Sequence, residues 1–346
     1  MFKNLLDDTS FWSAEGQLSD VVLSSRLRLA RNHASLPFPV NNDFQGHAVV
    51  EDSLLQFVNN SKFSESLKFY KMSDLDEYDR RFLRERNIIT ENMENDEQTS
   101  LVYDTSQQFC IQVNSGDHLR IQKLCSGLEF YDSYGKIVDI DNELNKYVDY
   151  AFNDTFGYLS AFVDNAGTGL KASALLHLPV LSTLGTIFEV KKMAEEMGAS
   201  FEPVSGDQNQ NYGSLYLVCN RKSINHTEPE IIEMLDDIVK MVAGLEMESR
   251  DDYSNDYKNQ LEDRIWRSYG ILKYSRSITY VEALEYLSNI RLGVILSIIK
   301  DMNLKDVHDL LVKIQTAHLL KLADRPLQSL MDYDIFRAEY ISSVLK

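Results

Sequence analysis

Hydrophobic positions in the first two thirds of the chain alternate between strand-like and helix-like spacing. Strand-like runs lie at 100–103, 109–113, 171–178 and 214–219. Helical spacing predicts helices at 46–70, 141–153 and 184–198, the last ending at a glycine C-cap. Because strands and helices follow one another without a regular strand–helix–strand repeat, the pattern predicts an α+β fold rather than a parallel α/β sheet.

From about residue 225 onward the pattern is helical. A long amphipathic helix is predicted at 228–248, and the acidic stretch 251–256 marks a boundary after it. Thr279 and Glu282 form a capping-box signature for a later helix. Further on, helical spacing places several apolar residues on one face: Val307, Leu310, Leu311, Ile314 and Ala317. We therefore predict one domain at 1–252 and a separate helical domain at 257–346.

Charge and composition restrict the classes of function. The 346 residues carry 53 acidic and 35 basic side chains, a net charge of -18, which argues against nucleic acid or an anionic membrane surface as the main partner. No apolar run approaches the ~18 residues of a membrane span. Acidic residues stand where a signal peptide would be apolar, and three distant cysteines indicate neither a disulfide framework nor a metal site. We expect a cytoplasmic protein with reduced thiols.

The segment at 20–31 contains the first candidate chemistry. Read as a strand, it places Arg26 and Arg28 on one face, because side chains alternate along a strand. Two guanidinium groups one repeat apart can form a fork for a polyphosphate, but they can equally pair with some of the many acidic side chains. Gly167 and Gly169 flank Thr168 in a turn, which by itself is a weak signal of phosphate binding.

Several segments together resemble the ATP:guanidino phosphotransferases, and within them the McsB-type protein arginine kinases. They are Ser-Ser-Arg-Leu-Arg-Leu-Ala-Arg at 24–31, Asp-His-Leu-Arg-Ile-Gln at 117–122, Gly-Tyr-Leu-Ser-Ala at 157–161, Gly-Thr-Gly-Leu-Lys-Ala-Ser at 167–173 and the helical start at 261–272. The resemblance covers nearly the whole chain. It implies an antiparallel sheet flanked by helices, a C-terminal helical domain, a homo-oligomer joined partly through that domain, and transfer of the γ-phosphoryl of ATP, with Mg²⁺, to a guanidinium.

The chain departs from the family at the positions that carry the reaction. Ser115 and Gly116 stand where the family has two glutamates, and Gly116 takes the place of the proposed base. Phe162 replaces the family's reactive cysteine. Asp207 keeps a carboxylate near the second position that holds the substrate. Because glycine can neither accept a proton nor orient a guanidinium, we expect no intact catalytic set.

The nucleotide positions of the family are partly retained. Those that match are Ser24, Arg26, Arg28 and Arg120. Lys171 replaces an arginine, which keeps the charge and loses the bidentate fork. Glu202 aligns with another family arginine, and a carboxylate there repels a triphosphate. We therefore expect any binding of ATP and Mg²⁺ to be weak, in the millimolar range or worse.

In the helical domain, Asp334 and Arg337 match part of a family stretch that helps to bind phosphoarginine. As i, i+3 neighbours they can hold a guanidinium and a phosphoryl group, or they can form an ordinary ion pair.

Three functions remain open from the sequence. The leading hypothesis is a catalytically silent arginine-kinase homologue that regulates a partner, such as an arginine kinase paralogue, an activator protein or a Clp-type protease system. The second is an active ATP-dependent protein-arginine kinase. The third is a reader of proteins that carry phosphoarginine.

Overall fold

The computed structural model describes residues 2, 5–6, 16–39, 45–107, 109–204, 206–207 and 210–345, without the side chains of 206, 207 and 210. The strands, in chain order, are β1 (Val22–Arg31), β2 (Leu67–Lys71), β3 (Ser100–Asp104), β4 (Cys110–Ser115), β5 (Asp117–Ser126), β6 (Phe152–Asn153), β7 (Gly157–Tyr158), β8 (Leu170–His177), β9 (Ala199–Pro203), β10 (Gly206–Asp207), β11 (Gln210–Asn211) and β12 (Leu215–Asn220). Among these residues, eight strands form one antiparallel sheet in the order β2-β3-β4-β5-β1-β8-β12-β9. The predicted α+β class with an antiparallel sheet is confirmed.

The helices, in chain order, are α1 (His47–Asn60), α2 (Glu77–Glu85), α3 (Glu91–Glu94), α4 (Phe130–Leu144), α5 (Pro179–Leu184), α6 (Ile187–Glu196), α7 (Glu228–Asp256), α8 (Lys258–Tyr274), α9 (Tyr280–Ile295), α10 (Leu304–Lys313), α11 (Thr316–Leu322) and α12 (Leu330–Val344). Among the residues described, no helix combines the length and the apolar character that a membrane crossing requires.

One face of the sheet forms the main core. Leu27 and Leu29 of β1 are fully buried there, packed with helix residues such as Phe57 of α1, Ile137 of α4 and Val239 of α7. Strand alternation therefore leaves Arg26 and Arg28 of β1 on the opposite face. The main core thus fixes which face of the sheet is available to a ligand.

Three helix predictions need correction. The helix predicted at 46–70 ends at Asn60, because residues 67–71 pair with β3 instead. The helix predicted at 141–153 runs over 130–144, and residues 152–153 pair with 157–158 in a hairpin. The apolar face predicted at 307–317 is divided between α10 and α11. Pairing with a distant strand overrides the helical spacing in the first case, and pairing within a local hairpin overrides it in the second.

The acidic stretch 251–256 is helical and completes α7, and Tyr257 alone separates α7 from α8. The capping box of Thr279 and Glu282 at the start of α9 is confirmed. The division at 252–257 stays a prediction.

The C-terminal helices pack against the face of the sheet that carries Arg26 and Arg28. Val312 of α10 contacts Leu23 of β1 in a small apolar cluster. Arg291 of α9 is fully buried and donates from Nη1 to the carbonyl of Asp20 (2.8 Å) and from Nη2 to that of Ser19 (2.6 Å). Since Ser19 and Asp20 immediately precede β1, the helical segment is anchored next to the strand that carries Arg26 and Arg28.

Candidate functional site

Strand register places the predicted nucleotide residues on one face of the sheet. Arg28 lies opposite Lys171 on β8 and opposite Gln122 on β5. Arg120 is two residues before Gln122 and therefore faces the same side. Arg26 is two residues before Arg28, so residues from three adjacent strands form a cationic cluster of Arg26, Arg28, Arg120 and Lys171.

Two members of this cluster, Arg26 and Arg28, have no counter-charge among the described residues. In the part of the chain that the structure describes, neither Arg26 nor Arg28 has a hydrogen-bond or carboxylate partner, and Nε of Arg26 is buried. Burial, followed by the charges of Arg26 and Arg120, lowers the pKa of Arg28 to about 9. Burial also lowers the pKa of Arg26. Burying two positive charges without a partner is unfavourable. This indicates a binding site for an anion, whose charge would stabilise both guanidinium groups.

The other two cations are partly engaged. Lys171 donates from Nζ to the backbone carbonyl of Asn220 at 2.5 Å. Nε of Arg120 lies 3.6 Å from Oδ2 of Asp117. A cavity of about 210 Å³, the cationic pocket, is lined by Arg28, Arg120, Phe162, Asp164, Asn165 and Lys171.

At the position of the proposed base, the space for a side chain is already filled. Gly116 has φ +83°, the left-handed region that favours glycine. A Cβ there would lie 2.8 Å from Nη2 of Arg120 and 3.1 Å from Cε2 of Phe162. The guanidinium of Arg120 is 5.8 Å from the centre of the Phe162 ring. Arg120 and Phe162 therefore occupy the volume into which a residue-116 side chain would extend.

A buried carboxylate organises the same pocket, and the sequence interpretation missed it. Asp117 is fully buried, and its Oδ1 accepts from Asn32 (2.9 Å) and from Ser160 (2.7 Å). Its Oδ2 accepts from Asn165 at 3.0 Å. Asp117 thus holds the 160–165 loop and has little capacity left for a substrate. In the sequence it stands only as the first residue of the family-like segment 117–122, with no role assigned to it.

Asp164 is the second residue missed. Asp164 is an exposed residue that lines the cationic pocket together with Phe162, so its carboxylate is a candidate for contact with a ligand there. It lies in the turn in which Phe162 replaces the family's cysteine. The sequence places the residue in this turn but does not indicate that it borders a pocket.

The remaining predicted residues lie around this centre. Ser115 is buried, and its Oγ lies 3.4 Å from Oγ1 of Thr90. The backbone of Asp207 lies in β10, and its side chain is outside the described part of the chain. Ser24 and Arg26 line a larger cavity of about 580 Å³. Leu284, Leu311 and Val312 of the C-terminal helices also line it.

Glu202 does not oppose the cluster in the way the alignment suggested. It lies on β9, which is separated from β1 by β8 and β12, so about 14 Å of strand spacing intervenes. Both of its carboxylate oxygens accept from Nζ of Lys191 at 3.1 Å. Its charge is therefore largely compensated at the edge of the sheet.

The candidate phosphoarginine pair is also engaged within the chain. Arg337 is only 3% exposed, and it donates to the carbonyls of Ile314 (3.0 Å) and Ile278 (2.9 Å) and to Oδ1 of Asp334 (2.5 Å). These contacts join α12 to two other segments. The ordinary ion-pair interpretation therefore suits Asp334 and Arg337 better than a phosphoryl site.

Comparison with protein families covers nearly the whole length of this chain. Residues 49–249 match the ATP:guanido phosphotransferase C-terminal catalytic domain, and residues 258–346 match the protein-arginine kinase McsB C-terminal domain. The protein-arginine kinase of Halothermothrix orenii is 33% identical over 346 residues, covering 99% of both chains. That of Caldanaerobacter subterraneus subsp. tengcongensis is 33% identical over 94% of this chain and 97% of its own.

Solved structures agree on the fold. The substrate-free duplicated taurocyamine kinase from Schistosoma mansoni superimposes with a TM-score of 0.60 at 20% identity, covering 75% of this chain and 39% of that duplicated chain. Lombricine kinase gives a TM-score of 0.58 at 19% identity, covering 70% of each chain. Taken together with the cationic cluster, these matches establish that the chain belongs to the ATP:guanido phosphotransferase family, as a homologue of the protein-arginine kinases.

Proposed function

We propose that this protein-arginine kinase homologue binds a polyphosphate at its cationic cluster without transferring a phosphoryl group to arginine, and that it acts by regulating a protein partner. The observation that carries the proposal is the environment of Gly116. No side chain stands at the base position, and Arg120 and Phe162 fill the adjoining space. Loss of a general base typically costs about 10²–10⁴-fold in rate.

The cationic cluster supports the polyphosphate part of the proposal. Arg26 and Arg28 have no counter-charge in the described residues, and they present two guanidinium forks one strand repeat apart. Phosphate oxygens match this geometry. Arg26, Arg28, Arg120 and Lys171 would hold the phosphates of ATP, and a magnesium ion bound with ATP would neutralise part of their charge.

An active protein-arginine kinase is the alternative, and the comparisons favour it. Relatives that are 33% identical over almost the full chain are protein-arginine kinases by name. A relocated base would be required, and Asp164 in the cationic pocket is the candidate. The Asp164 carboxylate would then orient the guanidinium and accept its proton.

Two points support the regulatory role: the chain belongs to the family, and the proposed site binds a polyphosphate without transferring a phosphoryl group. Partners that fit are an arginine kinase paralogue, an activator protein and a Clp-type protease system. A homologue with a ligand-binding cluster and no transfer would act through contacts made by its surface, in a ligand-dependent manner.

The test is a phosphorylation assay on the full chain with ATP, Mg²⁺ and an arginine-rich protein, scored by acid-labile phosphate. The Halothermothrix orenii kinase serves as the positive control and Arg28→Ala as the matched negative control. If the protein transfers no phosphoryl group, the wild type and Arg28→Ala should both give only the background level of acid-labile phosphate. Metal-dependent transfer that is abolished by Arg28→Ala would replace the proposal with the active-kinase alternative.

A further inference from the structure

A second pocket shares a turn with the cationic pocket and has no part in the function proposed above. Gly169 lines the cationic pocket, whereas Gly167 and Thr168 line this second cavity of about 280 Å³. We call it the aromatic pocket. Its walls include Phe152, Phe156, Tyr158, Ile224, His226 and Glu228.

Close backbone packing forms this pocket without a ligand. A Cβ on Gly157 would lie 2.5 Å from the carbonyl oxygen of Gly167, and one on Gly167 would lie 2.7 Å from that of Ser223. Glycine at both positions lets three segments meet backbone to backbone. In addition, the N–H groups of Thr155 and Phe156 both donate to Oδ1 of Asn153, at 2.9 and 3.1 Å, which fixes the hairpin.

The hairpin presents two aromatic rings to solvent. Phe152 and Phe156 are each 57% exposed. Phe152 meets Tyr158 edge to face, with ring centres 5.2 Å apart and an interplanar angle of 74°. Two exposed phenylalanines converging on one cavity are more than scattered surface apolar residues, and they indicate a binding surface.

The aromatic pocket also carries net negative charge. Oε1 of Glu228 lies 3.8 Å from Nη2 of Arg31, but Arg31 is already paired with Asp141, from Nη2 at 2.6 Å and from Nε at 3.1 Å. One arginine thus faces two carboxylates, which leaves a charge of -1. Tyr134 donates its hydroxyl to Oε2 of Glu228 at 2.6 Å, which orients the carboxylate.

A guanidinium already stacks on one wall of this pocket from inside the protein. The guanidinium carbon of Arg31 lies 3.5 Å from the centre of the Tyr158 ring. Aromatic faces beside a carboxylate are the environment that suits a planar cation, because stacking and charge act together. The net charge of -18 on the whole chain further favours approach of a cationic segment.

We propose that the aromatic pocket binds the guanidinium of an arginine side chain on a partner protein, separately from the cationic pocket. The two pockets then differ in sign: one takes an anion, and the other takes an arginine of the same or another partner. Binding here needs neither ATP nor phosphoryl transfer, so its success or failure is independent of the proposed function.

The test uses the full chain labelled with fluorophenylalanine and observed by fluorine NMR. The resonances of Phe152 and Phe156 are assigned by their loss in Phe152→Leu and Phe156→Leu. The probes are acetyl-Gly-Arg-Gly-amide and the same tripeptide with citrulline, which has the same shape without the charge. We expect a saturable shift of both resonances with the arginine peptide, at least fivefold weaker affinity for citrulline, and at least threefold weaker arginine affinity in Glu228→Gln.

Phe188 on α6 is 70% exposed and provides the internal control, since its resonance should not move. Equal affinity for the two peptides would overturn the proposal, because charge would then not be recognised. The same conclusion follows if Phe188 shifts as much as Phe156, or if no shift occurs at peptide concentrations that saturate a millimolar site.

Discussion

The guanidinium of Arg120 lies against the Cα of Gly116, so that a Cβ on residue 116 would be only 2.8 Å from Nη2. In a site that used a side chain at 116 as its base, Arg120 would have to leave this volume. The two residues therefore link the missing carboxylate at position 116 to the position of Arg120, a cation of the proposed polyphosphate site. Restoring a carboxylate at residue 116 therefore requires that the guanidinium of Arg120 move.

Substitution of Gly116 by alanine should destabilise the protein by about 1–2 kcal/mol, because φ +83° is unfavourable for any residue with a Cβ. Gly135 is the matched control: it lies exposed in α4 with nothing within 4 Å of its Cβ position. Gly135→Ala should instead stabilise by about 0.5–1 kcal/mol. Urea unfolding of the two variants measures both effects, and a Gly116→Ala protein as stable as wild type would contradict the strain argument.

Gly116→Glu by itself should not produce arginine phosphorylation. The carboxylate would return while Arg120 and Phe162 still hold its space, and positioning and charge stabilisation act jointly. Combining it with Ser115→Glu, Phe162→Cys and Lys171→Arg should give a measurable rate. Acid-labile phosphate is the readout, with folding checked by circular dichroism. A fast enzyme from the single substitution would mean that the site was essentially intact.

Asp164→Asn decides whether a relocated base exists. If the wild-type chain transfers no phosphate, Asp164→Asn changes nothing in the transfer assay and leaves nucleotide affinity within about threefold, because the residue lines the pocket without pairing to the arginines. If the wild-type chain is active, loss of a base at Asp164 should lower the rate by about 10²–10⁴-fold. An active enzyme that is unaffected by Asp164→Asn would exclude Asp164 as the base.

Nucleotide affinity should depend on Arg28 and hardly on Glu202. Arg28→Ala removes a charge that no carboxylate in the described residues pairs with, and it should weaken ATP binding by tenfold or more, about 1.4 kcal/mol. Glu202→Gln should change affinity by less than twofold, because Lys191 already compensates the carboxylate. Calorimetric titration measures both. A large gain in affinity from Glu202→Gln would instead support the hypothesis, drawn from the alignment, that the Glu202 carboxylate repels the triphosphate.

Stability should fall as pH decreases from 7 to 5, in part through His177. Burial, and then the charges of Arg291 and Arg250, hold the pKa of His177 well below its ordinary value. Nδ1 lies 2.8 Å from Nη1 of Arg291 and must stay unprotonated to accept from it. Because the folded pKa is below the unfolded value of about 6.5, the unfolded chain takes up the proton first, and stability is lost as pH falls through 6.5.

His177→Asn should flatten this pH dependence by up to about 1.4 kcal/mol per pH unit, measured by urea unfolding at pH 7.5, 6.5 and 5.5. Some slope should remain, since burial also lowers the pKa of His118 to about 4. His226→Asn is the control, because His226 is exposed and its substitution should leave the slope unchanged. If the free energy of unfolding changes with pH equally in wild type and His177→Asn, His177 does not contribute to the pH dependence.

The sequence by itself determined what depends on neighbouring positions along the chain. Side-chain alternation in β1 was enough to place Arg26 and Arg28 together on one face. The capping box at Thr279 was readable because a cap and its partner are three residues apart. The absence of a carboxylate at Gly116 needed no structure, since it is a statement about residue identity.

Tertiary structure decided which charges are available. The carboxylate of Asp117 accepts hydrogen bonds from Asn32, Ser160 and Asn165, partners that lie 43 to 85 residues away. Glu202 proved to be compensated by Lys191, and Arg337 proved to be buried in carbonyl contacts. A sequence shows that a charge exists, whereas its pairing depends on which strands and helices become neighbours. That choice follows from packing of the whole chain, which local spacing does not encode.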